Sequence, residues 1–185
     1  MRRLVATVMV ALVSGGLTGC VGGGDPTPSP SPVVTPSPVE TPSPTWTDEQ
    51  QAAIDAARRF LAVSAEIGGH LADGNWDRIR EVAGDPTANN TLLIYVEWQK
   101  KGWHMEGAPD FEPDYVNRGM MDDIGDRFWV HGCMDVSNSF VVDQDGNHVG
   151  ERGSDRGPFM FVVLRVASDG RYLVLENTWE DKGTC

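Results

Sequence analysis

Positive charge, histidine and long apolar runs are scarce in this chain, and each shortage removes a class of function. Across 185 residues, 15 Lys and Arg face 27 Asp and Glu, a net charge of −12. Setting aside Arg2, Arg3, Asp25 and Glu40 leaves the same −12 on Thr47–Cys185. Such a surface repels phosphate backbones and anionic headgroups, which excludes nucleic acid as a partner and a domain lying flat on a bilayer. The four histidines, His70, His104, His131 and His148, show neither HxxxH nor HxH spacing, so no metal site is expected. No motif calls for a cofactor. Gly150–Gly153 and Asp155–Gly157 are loop chemistry without a helix start to cradle a phosphate. The longest apolar run, Leu4–Val13, is about ten residues, half the ~20 that a membrane-crossing helix needs.

That short run sits in a recognisable order. Met1-Arg2-Arg3 is a positive n-region, Leu4–Val13 an apolar h-region, and Ser14-Gly15-Gly16 a flexible approach to Leu17-Thr18-Gly19-Cys20. This resembles the leader of a bacterial lipoprotein, with Leu17, Thr18, Gly19 and Cys20 matching the lipobox. The resemblance implies cleavage before Cys20, so that residues 1–19 are a signal peptide, and acylation of the new N-terminal cysteine. Several acyl chains exceed the two signals that stable anchoring requires, so the expected partner is the membrane, held from its extracytoplasmic face. Leu4-Val5-Ala6 after Arg2-Arg3 lacks the rest of a twin-arginine motif, which favours Sec export. A plain secreted protein with an ordinary thiol at Cys20 is the competing reading.

Residues 20–46 change composition to Thr-Pro, Ser-Pro and Gly. Proline removes backbone donors and fixes φ near the polyproline II value, so a disordered but extended spacer is expected, without a core. At about 3.1 Å per residue it reaches up to about 80 Å, far enough to enter a cell wall.

Thr47–Cys185 is long enough for one domain with a core. With Cys20 reserved for lipid, Cys133 and Cys185 remain as an even pair outside the cytoplasm, where disulfides persist. A bridge between them is expected over a catalytic cysteine beside His131, because the chain's last residue suits a staple better than a nucleophile.

The domain opens with helices. Thr47-Asp48-Glu49-Gln50 reads as a capping box ahead of Ile54, Ala57, Leu61 and Ile67 at helical spacing, with Gly68-Gly69 weakening the end. A turn at Asp73–Asn75, a short helix at Trp76–Val82, a break at Gly84-Asp85-Pro86 and a helix over Thr87–Lys101 closed by Gly102 follow. Then the period becomes two. Phe128, Val130, Met134 and Val136 alternate with Trp129, His131, Cys133 and Asp135, and strands at Phe159–Val166 and Tyr172–Trp179 meet at Ser168-Asp169-Gly170. Helices first and antiparallel strands afterwards give an α+β fold, with helices on one face of a curved sheet of about four strands. Asp143-Gln144-Asp145-Gly146-Asn147 begins like a calcium loop. Its glycine falls too early and Ser154 replaces the closing glutamate, so a turn is expected.

The element order, the segment Val130–Ser137, the turn at Asp143–Gly146 and the closing Asp169–Trp179 resemble the NTF2-like (SnoaL-like) superfamily, and in particular actinobacterial lipoproteins carrying such a domain on a proline-rich stalk. The resemblance implies a cone with an apolar cavity, which Phe60, Trp98, Trp103, Phe128 and Phe161 would line around a small hydrophobic ligand. It also implies homodimers through the sheet. Some relatives are isomerases or dehydratases with an Asp base or an Asp/His pair. His131 and Asp135 share a strand face but stand about 13 Å apart, so any partner for His131 comes from another element, such as Asp73 or Glu176. His70 and His104 are further candidates, with structural roles the default.

No catalytic constellation emerges. The expected function is therefore a non-enzymatic binding or scaffold module at the cell envelope, meeting cell-wall or protein partners. The competing function is a cavity enzyme acting on a small hydrophobic substrate. Replacing Cys20 by Ala is expected to move the protein from the membrane to the soluble fraction, read by salt-washed fractionation; a variant that stays with membranes refutes the anchor.

Overall fold

The computed structural model of the chain describes residues 45–150, 155–181 and 185. The expected signal peptide with Leu17, Thr18, Gly19 and Cys20, the expected linker up to residue 44, and Ser154 lie outside the described residues.

Helix α1 spans Asp48–Gly69 and starts where the capping box places it. The Thr47 hydroxyl accepts from the Gln50 amide at 3.3 Å, while Gln50 Oε1 accepts from the Thr47 amide at 3.0 Å. Its buried face is built from small residues, Ala53, Ala56, Ala57 and Ala65, around the larger Ile54, Phe60 and Ile67. Small side chains let a helix axis lie close to a sheet, so the large residues can reach between its strands. Trp46, just ahead of the cap, already packs against the core. The helix ends at Gly69, within the pair Gly68-Gly69 expected to weaken it, and an added Cβ at Gly68 would lie in tight contact with Met105 Cβ, at 3.2 Å.

Two 3₁₀ helices follow, Leu71–Asp73 and Trp76–Glu81, the second at the place of the expected short helix. Helix α2 spans Thr87–Lys101, closed by Gly102 in the left-handed region at φ 68°, with Lys100 and Lys101 facing the negative end of the helix dipole. It is tied to α1 by the Tyr95 hydroxyl, which donates to Ser64 O at 2.8 Å.

Six strands follow: β1 His104–Glu106, β2 Asp110–Asp122, β3 Gly125–Asp135, β4 Phe140–Val142, β5 Arg156–Val166 and β6 Tyr172–Trp179. Strands β2-β3-β5-β6 form one antiparallel sheet, and β1 pairs separately with β4. The fold is α+β, with the helices on a curved, unclosed sheet. On β3 the expected alternation holds: Phe128, Val130 and Met134 are buried, while Trp129, His131, Cys133 and Asp135 are half-buried on the other face. Gly132 keeps the rhythm without a side chain, because a Cβ there would sit 2.2 Å from Glu112 O on β2.

The inner face carries the core, and Phe161 is its centre. It is fully buried, with ring centroids 5.0 Å from Phe111, 5.0 Å from Phe159 and 6.3 Å from Phe60, mostly edge to face. The α1 end of the sheet is tied by charge. Asp126, nearly buried, meets Arg118 at 3.0 Å and Arg165 at 3.7 Å, and Glu49 on the first turn of α1 meets the same two guanidiniums at 3.4 and 3.0 Å. Gln50 Nε2 adds a bond to Val116 O at 3.1 Å.

Burial holds Tyr95 protonated well past its ordinary range, to about 12. The unfolded tyrosine titrates near 10, so the preference for the folded form is complete below that pH and is lost as pH rises through 12. Thermal melts from pH 9 to 12 are expected to fall by about 2 to 3 kcal/mol more in the wild type than in Tyr95→Phe over that interval.

Candidate functional site

The outer face of the sheet, away from the helices, holds the site. Tyr115 on β2 is in register with His131 on β3, and their rings stack at 4.3 Å with 14° between planes. The strand period that buries Val130 inward turns His131 outward, between Tyr115 on one side and Met160 of β5 on the other. Glu180 lies one residue past β6. Its amide donates to Pro158 O at 3.0 Å, which pins it beside β5, and its carboxylate reaches His131 Nδ1 at 3.1 Å. Next to this pair Cys133 is bonded to Cys185, with their Cα atoms 5.7 Å apart.

Together these groups line a cavity of about 460 Å³, walled further by Glu112, Pro113, Asp114 and Pro158. The His131 side chain is 13% exposed and that of Glu180 27%. A carboxylate only accepts, so the neutral imidazole carries its proton on Nδ1 and leaves the Nε2 lone pair for a donor from a ligand. Tyr115, 46% exposed, offers a ring face beside it. Glu112 is held by Arg156 at 2.6 Å. The wall therefore combines a flat aromatic surface, a base oriented by a carboxylate, and acidic groups suited to donors or cations. Both sulfurs beside it are consumed in the disulfide, which leaves no thiol nucleophile there.

His131 does pair with a carboxylate from another element, but the residue is Glu180. Glu176 stands across β5 from Trp129, one strand step away, and Asp73 lies in the 3₁₀ turn after α1. The partner was hidden because the bond depends on how far the chain runs beyond Trp179 before it is caught by Pro158. Asp135 is engaged elsewhere: its carboxylate accepts from the Ser137 amide at 2.9 Å, and hydrogen bonds from Ser137 hold it below the usual carboxylate range. His70 turns its Nδ1 to Glu66 O at 3.0 Å, and His104 lies 3.7 Å from Glu106.

The five aromatic residues expected to line an interior cavity separate into two groups. Phe60, Phe128 and Phe161 are buried together in the core, whereas Trp98 packs at its margin against Tyr95. Trp103 is half-buried beneath the Lys101 ammonium at 4.3 Å. The Asp143 loop is a turn: Asp143 Oδ1 accepts from the Asp145 and Asn147 amides, each at 2.9 Å, which lowers its pKa and uses the carboxylate internally. Among the described residues no group of three His, Cys, Asp or Glu is placed to hold a metal ion.

No family model matches the chain, and no curated protein does. Solved structures similar to it include the intermembrane space region of the chloroplast protein ARC6, at 12% identity and a TM-score of 0.49, covering 74% of this chain and 98% of that one. Two structures from Catenulispora acidiphila match at TM-scores of 0.40 and 0.37 with 13% and 12% identity, over 71% and 69% of this chain and 93% and 92% of theirs. The second of these is a complex with S-DNPA.

The Cys133–Cys185 bond closes a span of 52 residues. Chain entropy assigns such a loop about 4 kcal/mol. Cys133→Ala with Cys185→Ala is expected to lower the urea midpoint accordingly and to increase solvent access to His131, read by diethyl pyrocarbonate labelling; an unchanged midpoint would refute the staple.

Proposed function

We propose that the protein is a lipid-anchored binding module of the cell envelope, tethered through Cys20 on a proline-rich spacer, with an NTF2-like domain whose ligand meets the outer face of the sheet. The observation that carries this reading is the division of labour between the two faces. The inner face, where such a fold would keep a cavity for a small hydrophobic ligand, is occupied by Phe161 with Phe60, Phe111 and Phe159 packed against it. The converging polar groups, His131 and Glu180, line the outer cavity with Tyr115. A concave surface with a few convergent polar groups beside an aromatic ring is the usual composition of a binding site. Exposed Tyr115 and the acidic wall fit a cell-wall or protein partner that presents hydroxyl or ammonium donors.

A second reading rests on the His131–Glu180 contact, which is also the geometry of an oriented general base. It would serve a polar substrate on the outer face.

Cosedimentation with detergent-washed cell walls of an actinobacterium tests the binding reading. Full-length Cys20→Ala protein is expected to sediment with the walls, and Tyr115→Ala or His131→Gln in that background to weaken retention about tenfold, the equivalent of about 1.4 kcal/mol. No retention, or retention indifferent to both substitutions, overturns it.

A further inference from the structure

A second surface, sharing no residue with the outer-face cavity, lies at the edge of the sheet. Strand β6 is the last in the sheet order, and its free side is only half covered. At its start the segment 82–84 runs parallel to it: the Val174 amide donates to Val82 O and the Gly84 amide to Val174 O, both at 3.0 Å. At Gly84-Asp85-Pro86 this segment turns away into α2. Beyond that point Glu176, Asn177, Thr178 and Trp179 are exposed, and among the described residues no main chain pairs with them on that side.

The orientation of the free groups follows from the register. Glu180 N bonds to Pro158 O, and Trp179 and Thr178 face Phe159 and Met160, so antiparallel alternation directs the backbone of residues 178 and 180 toward β5. Asn177 N–H and C=O and Trp179 N–H therefore point outward. Leu175 sits at the register shift in this strand, and its carbonyl also faces out, where it takes the Thr87 hydroxyl. Beside this edge runs a groove of about 270 Å³ between β6 and α2, with Pro86, Thr91 and Ile94 on one wall and Leu175 and Asn177 on the other. Ile94 is 48% exposed and its neighbour Leu93 65%.

We propose that this edge and groove bind an extended peptide segment of a partner protein by strand addition, taking the place beside β6 that the chain vacates at Gly84, and that the segment alternates apolar and basic residues. Main-chain hydrogen bonds to Asn177 and Trp179 supply the attachment, and alternate side chains supply selectivity. Residues turned to the helix side meet Ile94 and Leu175. Those turned to the outer side stand opposite Glu176, an exposed carboxylate on a domain of net charge −12, which favours Lys or Arg. The same charge argues against a second copy of this chain, since β6 against β6 would bring Glu176 and Glu180 of both copies together.

Fluorescence anisotropy with the full-length Cys20→Ala protein and a labelled six-residue peptide alternating Val and Lys tests this. Saturable binding is expected, weakened at least tenfold by Asn177→Pro, which removes one outward N–H, and by Ile94→Glu, but unchanged by Tyr115→Ala. The last arm separates failure here from failure of the outer-face cavity. Should Asn177→Pro not fold, peptides N-methylated on alternate residues serve instead: one methylation phase is expected to abolish binding to the unaltered edge and the other to spare it. Absence of saturable binding, equal binding of a Val–Glu peptide, indifference to methylation phase, or self-association of the protein through β6 would each overturn the proposal.

Discussion

The arrangement depends on the seating of the alanine-rich face of α1 over Phe161. A helix faced with bulkier residues would stand too far from the sheet for Phe60 to meet Phe161 edge to face, and the inner surface would then enclose space. With the helix close, four phenylalanines occupy that volume, and the candidate site lies on the outside. The pleat supplies it there: each inward residue of β3 obliges its neighbours, Trp129, His131 and Cys133, to face the other way.

That outer face is closed by the end of the chain. Glu180 and Cys185 are brought onto β3 after β6 is complete, one by a hydrogen bond and the other by a covalent bond. The disulfide therefore does more than limit the unfolded chain. It fixes the same short tail that supplies the carboxylate to His131, so the staple and the candidate site share one strand and one terminus.

Much of the fold was legible because periodicity reports burial. The capping box at Thr47, the alternation along Phe128–Met134 and the turn at Asp169-Gly170 are all local, and they are found as read. Strand β2 escaped because it lies at the sheet edge, carries Pro113, Asp114, Asn117 and Gly119, and shifts register twice, so its apolar rhythm is broken. Strands β1 and β4 are three residues each, too short for a pattern. The site was half legible. His131 could be singled out as outward-facing, but its stacking on Tyr115 belongs to an unread strand, and its contact with Glu180 lies one residue beyond the end of β6. The filled interior was the least legible of all, since a list of aromatic residues is the same whether they line a space or occupy it.

The charged knot of Glu49, Arg118, Asp126 and Arg165 lies at the place where tension from any tether attached ahead of Trp46 would enter the domain. A pull on residue 45 would reach β2, β3 and β5 together through two guanidiniums, each paired with both carboxylates, and through the Gln50 bond to Val116. Load applied there acts on several strands in parallel, and the first turn of the helix serves as a mechanical shackle.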